Sequence, residues 1–411
     1  MPEPTETEPA GPPPTPGLRP EHPALTAFRQ RTRRANRIWA AVLAAAVVVA
    51  FVAVRLAYAH GEITKVSRAS APAVSAVPGS SPAQQLSPAW HTDDAAATGT
   101  PYQDGIVVTY HQHTVNGRDA RTGQVRWHYT RSDETLCSVL QQDSSTIAIY
   151  RRKGNCDEVT GFVTATGVPK FYRTLTDDGS TAAASFPNVV MTVGTHFVHE
   201  FDNAGGLDRW DWTAPDGCAV SRALAGNLGT LISLDCGSKH QLVLRDLIQD
   251  STKWTVDTPA AMVPLTSSAA LTALDPATGA LYRYGVTKGD AVAAGQVSGA
   301  PATGYPAAAA SLVATNAQQQ PIEFSFAGKL LAISADGTVQ WTAAASAAPS
   351  AVTAAFVAVP VAPGAVVLHR VDRGQTQLTV TASPPPADDA GPVYPVGAGL
   401  LFTGPGAGLY R

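Results

Sequence analysis

Charge is scarce in this 411-residue chain, with Asp, Glu, Lys and Arg together supplying 15% of it, against roughly 25% in ordinary soluble domains. The little charge present nearly cancels, to a formal net of −3, so no global basic field exists to attract nucleic acid. Cysteine is limited to four residues and methionine to three, and no cysteine pair has the close C-x₂-C spacing of a zinc site. Missing as well are a G-x-S-x-G elbow, a G-x-x-x-x-G-K-[ST] loop and an H-E-x-x-H helix. Nucleophilic hydrolysis, phosphate binding and zinc proteolysis thereby lose their usual anchors. Turn formers are plentiful: 35 Gly and 32 Pro, without the three-residue period of collagen, predict many turns. With 45% apolar residues the chain can bury a core, and an all-β architecture is expected.

The long apolar runs are few, and the first is decisive. Residues 1–37 are Pro-rich and acidic at first, then carry Arg29, Arg31, Arg33, Arg34 and Arg37. Too few apolar side chains are present to offset the entropy of ordering, which predicts a disordered tail. Ile38 to Val54 then runs uncharged, and past the isolated Arg55 come Leu56-Ala57-Tyr58. Residues 38–58 therefore read as one helix long enough to cross about 30 Å of hydrocarbon, with Trp39 and Tyr58 near the two headgroup layers. A cleavable signal peptide is the rival; the 37-residue lead and the long core favour a retained anchor. Arginines crowd before the helix and thin out after it, which predicts a plasma-membrane protein with a cytoplasmic N-terminus and an extracytoplasmic C-terminal domain. Residues 59–87, rich in Ala, Pro and Ser, read as a tether.

From residue 88 to 411, short β-prone runs alternate with turns, and one phrase returns. It reads Asp119-Ala120-Arg121-Thr122-Gly123-Gln124-Val125-Arg126-Trp127, then Thr164 to Phe171, Asp202 to Trp210, Asp246 to Trp254, Asp275 to Tyr282 and Ser334 to Trp341. Each copy combines a tight turn with a strand carrying an aromatic at a fixed offset. The aromatics Trp127, Phe171, Trp210, Trp254, Tyr282 and Trp341 follow one another at 44, 39, 44, 28 and 59 residues. The last two intervals make two average periods of about 43, so the fifth phrase is displaced rather than lost. Such a period, with four strands and one aromatic per unit, is that of a β-propeller. About seven blades are expected, six or eight being possible, with the six aromatics packing blade against blade. The final segment lacks a fourth strand; Ser87 to Thr92, which carries Trp90, is expected to complete it and shut the ring.

The Asp/Thr-Ala-x-Thr-Gly-x-x-x-aromatic phrase resembles the repeat of quinoprotein-like (PQQ-like) β-propellers, in particular actinobacterial-type single-pass envelope proteins. In the dehydrogenases of that family the resemblance implies pyrroloquinoline quinone, Ca²⁺, a catalytic Asp and a ring of two adjacent cysteines. No adjacent cysteines occur here and the blades are short, so no cofactor ligand, metal ligand or catalytic residue is assigned, and a non-enzymatic protein is expected. Cys137, Cys156, Cys218 and Cys236 follow the anchor, where disulfides are permitted; proximity favours Cys137–Cys156 and Cys218–Cys236, each joining the first and second strands of a blade. His111-x-His113 on one strand face, and His196-x-x-His199-Glu200, are weak metal candidates. Trp212 has no place in the repeat. The expected function is a scaffold for an unidentified envelope protein, the alternative a ligand-binding or sensory ectodomain using the channel. Deleting residues 85–94 is expected to lower the stability of the entire ring in a single transition, as read by urea unfolding.

Overall fold

The computed structural model describes residues 35–52 and, between 65 and 411, all but 176–181, 187, 269, 298–309, 315–321, 327–328, 335–337, 345–349, 353–355, 371–372, 387–390 and 405. The chain divides into two units, Met1–Thr64 and Lys65–Arg411. In the first, Ala35–Val52 is an apolar helix of 18 residues with no buried face, long enough to cross a membrane. Alanine-rich text without Gly or Pro favours this conformation. The helix starts three residues before Ile38; most of the tail, together with Arg55 and Tyr58, lies outside the described residues.

The second unit is a β-propeller of eight sheets rather than seven. Blade 2 shows the plan: Thr135–Gln142, Ser145–Arg152, Asn155–Val163 and Pro169–Thr174 form an antiparallel meander. Blades 1 and 3 to 7 occupy residues 95–131, 182–213, 219–258, 263–296, 310–344 and 350–382, and blade 8 residues 393–410. Runs such as Ile106-Val107-Val108 are buried in sequence because a blade is covered on both faces. Below, the turn between the third and fourth strands of a blade is called its outer turn.

No blade can bury both its faces alone, and the clusters of buried apolar residues accordingly lie between blades. Val115, Trp127 and Tyr129 of blade 1 meet Val139, Tyr150 and Phe162 of blade 2. Similar clusters join each later neighbour through to blade 8, where Phe402 and Tyr410 meet Val366 and Val380 of blade 7. The last cluster returns to the beginning: Val396, Leu401 and Leu409 of blade 8 pack with Val107 and Ala120 of blade 1. The ring is therefore closed by packing.

Closure also uses the chain's own start. Pro88–Thr92 is the fourth strand of blade 8, with Trp90 opposite Leu409. The Trp90 indole covers Gly123 of blade 1 and donates its Nε1–H to Ala120 O at 3.0 Å. Just beyond, one Asp94 oxygen accepts from Arg118 (2.6 Å), Asn116 (2.9 Å) and Thr109 (3.1 Å) of blade 1. Burial would raise the Asp94 pKa, but these hydrogen bonds prevail and hold it below the usual carboxylate range.

One expectation needs correction. The tether expected over 59–87 is not free beyond Thr64: Val66–Ala69 adds to the outer strand of blade 1 and Gln85–Leu86 to that of blade 7. Val66, Val74 and Val77 find apolar slots along the way. The phrase Asp275 to Tyr282 is displaced because it closes the turn between the second and third strands of blade 5, with Gly279 N–H donating to Asp275 O at 2.8 Å. The outer turn of that blade is Gly285 to Asp290, and Gly289 lies under Trp254.

Gly167 shows what such turns require. Its φ is +71° and a Cβ would stand 2.5 Å from the Trp127 ring, so it serves both the left-handed turn and the close approach. Gly167→Ala is expected to destabilise the ring by about 1–3 kcal/mol in urea unfolding, whereas Gly79→Ala, with nothing within 4 Å, should stay within about 0.5 kcal/mol.

Candidate functional site

The outer turns are made and placed by one local device. An Asp carboxylate accepts the backbone N–H groups that follow it, as Asp119 does from Arg121 (2.8 Å) and Asp202 from Gly205 (2.7 Å) and Leu207 (2.8 Å). Burial would raise the Asp202 pKa, but these backbone donors prevail and lower it; in blade 4 the same bonds bring Asp246 to about 2. The preceding blade then lays its aromatic onto the turn. Trp127 covers Gly167 and donates to Thr164 O at 2.8 Å. Phe171 covers Gly206, Trp254 covers Gly289 and donates to Val286 O at 3.1 Å, and Trp341 covers Gly374. Lys170 and Arg173 reinforce the contact of blade 2 with blade 3, donating to Asn203 O at 2.8 Å and Gly206 O at 3.0 Å.

Two of the six repeat aromatics depart from this arrangement. Tyr282 is half-buried and does not occupy the slot; the neighbouring Tyr284 is buried and stacks on Trp254 with centroids 6.0 Å apart. Trp210 is buried, yet its Nε1–H has no partner, and the Arg245 guanidinium of blade 4 lies 5.2 Å from its ring. Opposite Trp127 and Phe171 the third strand carries Gly117 and Gly161, which give the rings room. Opposite Trp210 it carries Glu200, fully buried, with Oε1 accepting from Thr230 and Oε2 unpartnered. Burial raises its pKa to about 7, against smaller lowering influences from Thr230, Arg209 and Arg245. Sequence reasoning met Glu200 only as part of a histidine motif; its place opposite a repeat aromatic, where two other copies have glycine, was the available signal.

The remaining candidates are dispersed. His111 and His113 flank Gln112, whose φ of +44° turns the chain, so they do not share one strand face; His113 Nδ1 lies 2.6 Å from Glu134 O. His196 Nδ1 faces Cys218 O at 2.9 Å, while His199 is buried in the strand Phe197–Asp202. Trp212 packs, partly buried, between blades 3 and 4. Cys137 is bonded to Cys156 and Cys218 to Cys236. Cys156 stands in the third strand of blade 2, not the second, and Cys137 sits at a bulge in the first.

Among the described residues no group of three or more His, Cys, Asp or Glu could hold a metal ion. The quinone implied by the resemblance does not fit these residues either. Both disulfides join cysteines 18 or 19 residues apart, so the ring of two adjacent cysteines is not formed here.

No family model matches the chain and no curated protein is similar to it. Solved structures are similar in fold. They include the computationally designed Ika8 protein (TM-score 0.56, 12% identity, 80% of this chain and 100% of that one) and Saccharomyces cerevisiae Sqt1 (TM-score 0.54, 9% identity, 83% and 99%). A third is the quinohemoprotein alcohol dehydrogenase of Comamonas testosteroni (TM-score 0.50, 12% identity, 80% and 76%). The chain is thus a β-propeller, and at the level of fold its likeness extends to a quinoprotein enzyme.

Glu200 yields a test. The unfolded carboxyl ionises near 4.5 and the folded one near 7, so stability is full below 4.5 and falls as pH rises toward 7. Glu200→Gln should flatten that decline, which for a shift of this size is on the order of 3 kcal/mol, in urea unfolding measured across the interval.

Proposed function

We propose that this chain is a membrane-anchored, extracytoplasmic β-propeller that serves as a non-catalytic scaffold for protein contacts in the cell envelope. One observation carries the reading. The segment that follows the apolar helix does not merely lead to the ring but is woven into it, adding strands to blades 1, 7 and 8. Residues 66–92 are thereby held in the ring by backbone hydrogen bonds to three blades. The arginine-rich text before the helix supports a cytoplasmic N-terminus, and two disulfides in the ring support an oxidising compartment. Crosslinking in intact cells followed by mass spectrometry should recover at least one reproducible envelope protein bound to residues 65–411; recovering none would overturn the scaffold reading.

A further inference from the structure

The segment 70–78 lies across the turn-bearing end of the ring, and its contacts pass in order over blades 2, 1 and 8. Ala71 N–H donates to Thr166 O in the outer turn of blade 2 at 3.1 Å. Val74 and Ser75 close over Gly105 of blade 1, where a Cβ would stand 2.6 Å from Ser75 O. Val77 N–H donates to Tyr102 Oη at 3.0 Å, Arg121 reaches Ala76 O at 3.4 Å, and the Val77 side chain meets Gly397 in the first turn of blade 8. The docked text, Ala71-Pro72-Ala73-Val74-Ser75-Ala76-Val77-Pro78, is uncharged and forms neither helix nor strand. Six residues, spanning at most about 20 Å at roughly 3.3 Å per residue, carry it past two blade boundaries.

On the other side of Thr166 the same rim continues uncovered. Val168, Leu207, Ile248 and Val286, in the outer turns of blades 2, 3, 4 and 5, are 46%, 73%, 82% and 39% exposed. A single exposed apolar side chain carries no meaning. Four on successive turns, continuing a rim that already holds an apolar extended segment, form a surface.

We infer that the outer turns of blades 2 to 5 are a docking track for an extended, uncharged segment of a partner protein rich in Ala, Pro and Val. The track continues the one that residues 70–78 occupy within the chain. Turn carbonyls and hydroxyls would hold the partner's backbone and the four apolar tips its side chains, and a proline-rich segment loses little entropy on docking. The inference rests on the scaffold reading and names the surface and the partner's chemistry.

The test uses the full chain in phospholipid nanodiscs and a fluorescein-labelled peptide with the sequence of residues 69–78, titrated by fluorescence polarisation. Saturable binding is expected, weakened at least tenfold by combined Leu207→Asp and Ile248→Asp and unchanged by Val361→Asp on blade 7. Absence of saturation, or binding that the double variant leaves intact, would overturn the track; the second result would mean exchange with the chain's own segment. Should the Asp variant not fold by circular dichroism, Leu207→Ser with Ile248→Ser takes its place with the same two readings. In the cellular crosslinking, an envelope partner joined only to other surfaces would overturn the track and leave the scaffold standing, whereas no partner would overturn the scaffold.

Discussion

Neighbouring blades depend on one another, most visibly where Trp127, Phe171, Trp254 and Trp341 lie over the outer turn of the next blade. A four-stranded sheet with two apolar faces is not stable by itself in water, and its second face is covered only when the next blade arrives. Because each of the eight blades supplies this cover to the next, the last must supply it to the first. Trp90 over Gly123 meets that requirement with a residue from the beginning of the chain. The position of the N-terminal segment, the Asp94–Arg118 ion pair and the strand supplied to blade 7 follow from the same need to join two distant ends.

The device is not uniform around the ring. Where glycines face the aromatic, the ring lies flat and its indole N–H finds a carbonyl, as for Trp127. Between blades 3 and 4 a buried carboxyl and an arginine replace that arrangement, and three polar atoms, Glu200 Oε2, Trp210 Nε1 and Arg245 Nε, are left without hydrogen-bond partners. Buried polar groups in this condition weaken an interface, and the raised pKa of Glu200 makes this boundary weaken as pH rises toward 7. Structural variation is thus concentrated at blade boundaries, while the meander inside each blade stays regular.

The outer turns do two things at once. Their inner side receives the preceding blade's aromatic and their tips face outward, so the feature that closes the ring also builds its rim. At the same end of the ring the chain's own Ala/Pro/Val segment meets the outer turn of blade 2 and the first turns of blades 1 and 8, while on blades 2 to 5 the apolar tips of the outer turns are exposed.

Much of the architecture could be read from the residues. The returning Gly-x-x-x-aromatic phrase marked the blades, the aromatic in Ser87 to Thr92 marked the closing strand, and the uncharged run before residue 55 marked the helix, because period, spacing and hydropathy are local properties that survive in one dimension. The sequence could not show that Asp275 to Tyr282 belongs to a different hairpin, since identical turn chemistry closes either turn and only strand pairing tells them apart. Nor could it show that the Ala/Pro segment is docked. Its composition is that of a free linker, and what holds it are carbonyls, a tyrosine hydroxyl and glycine gaps contributed by three blades. Those groups exist side by side only after the ring has closed, which is why tertiary structure alone decided the eighth blade, the buried setting of Glu200 and the course of the rim.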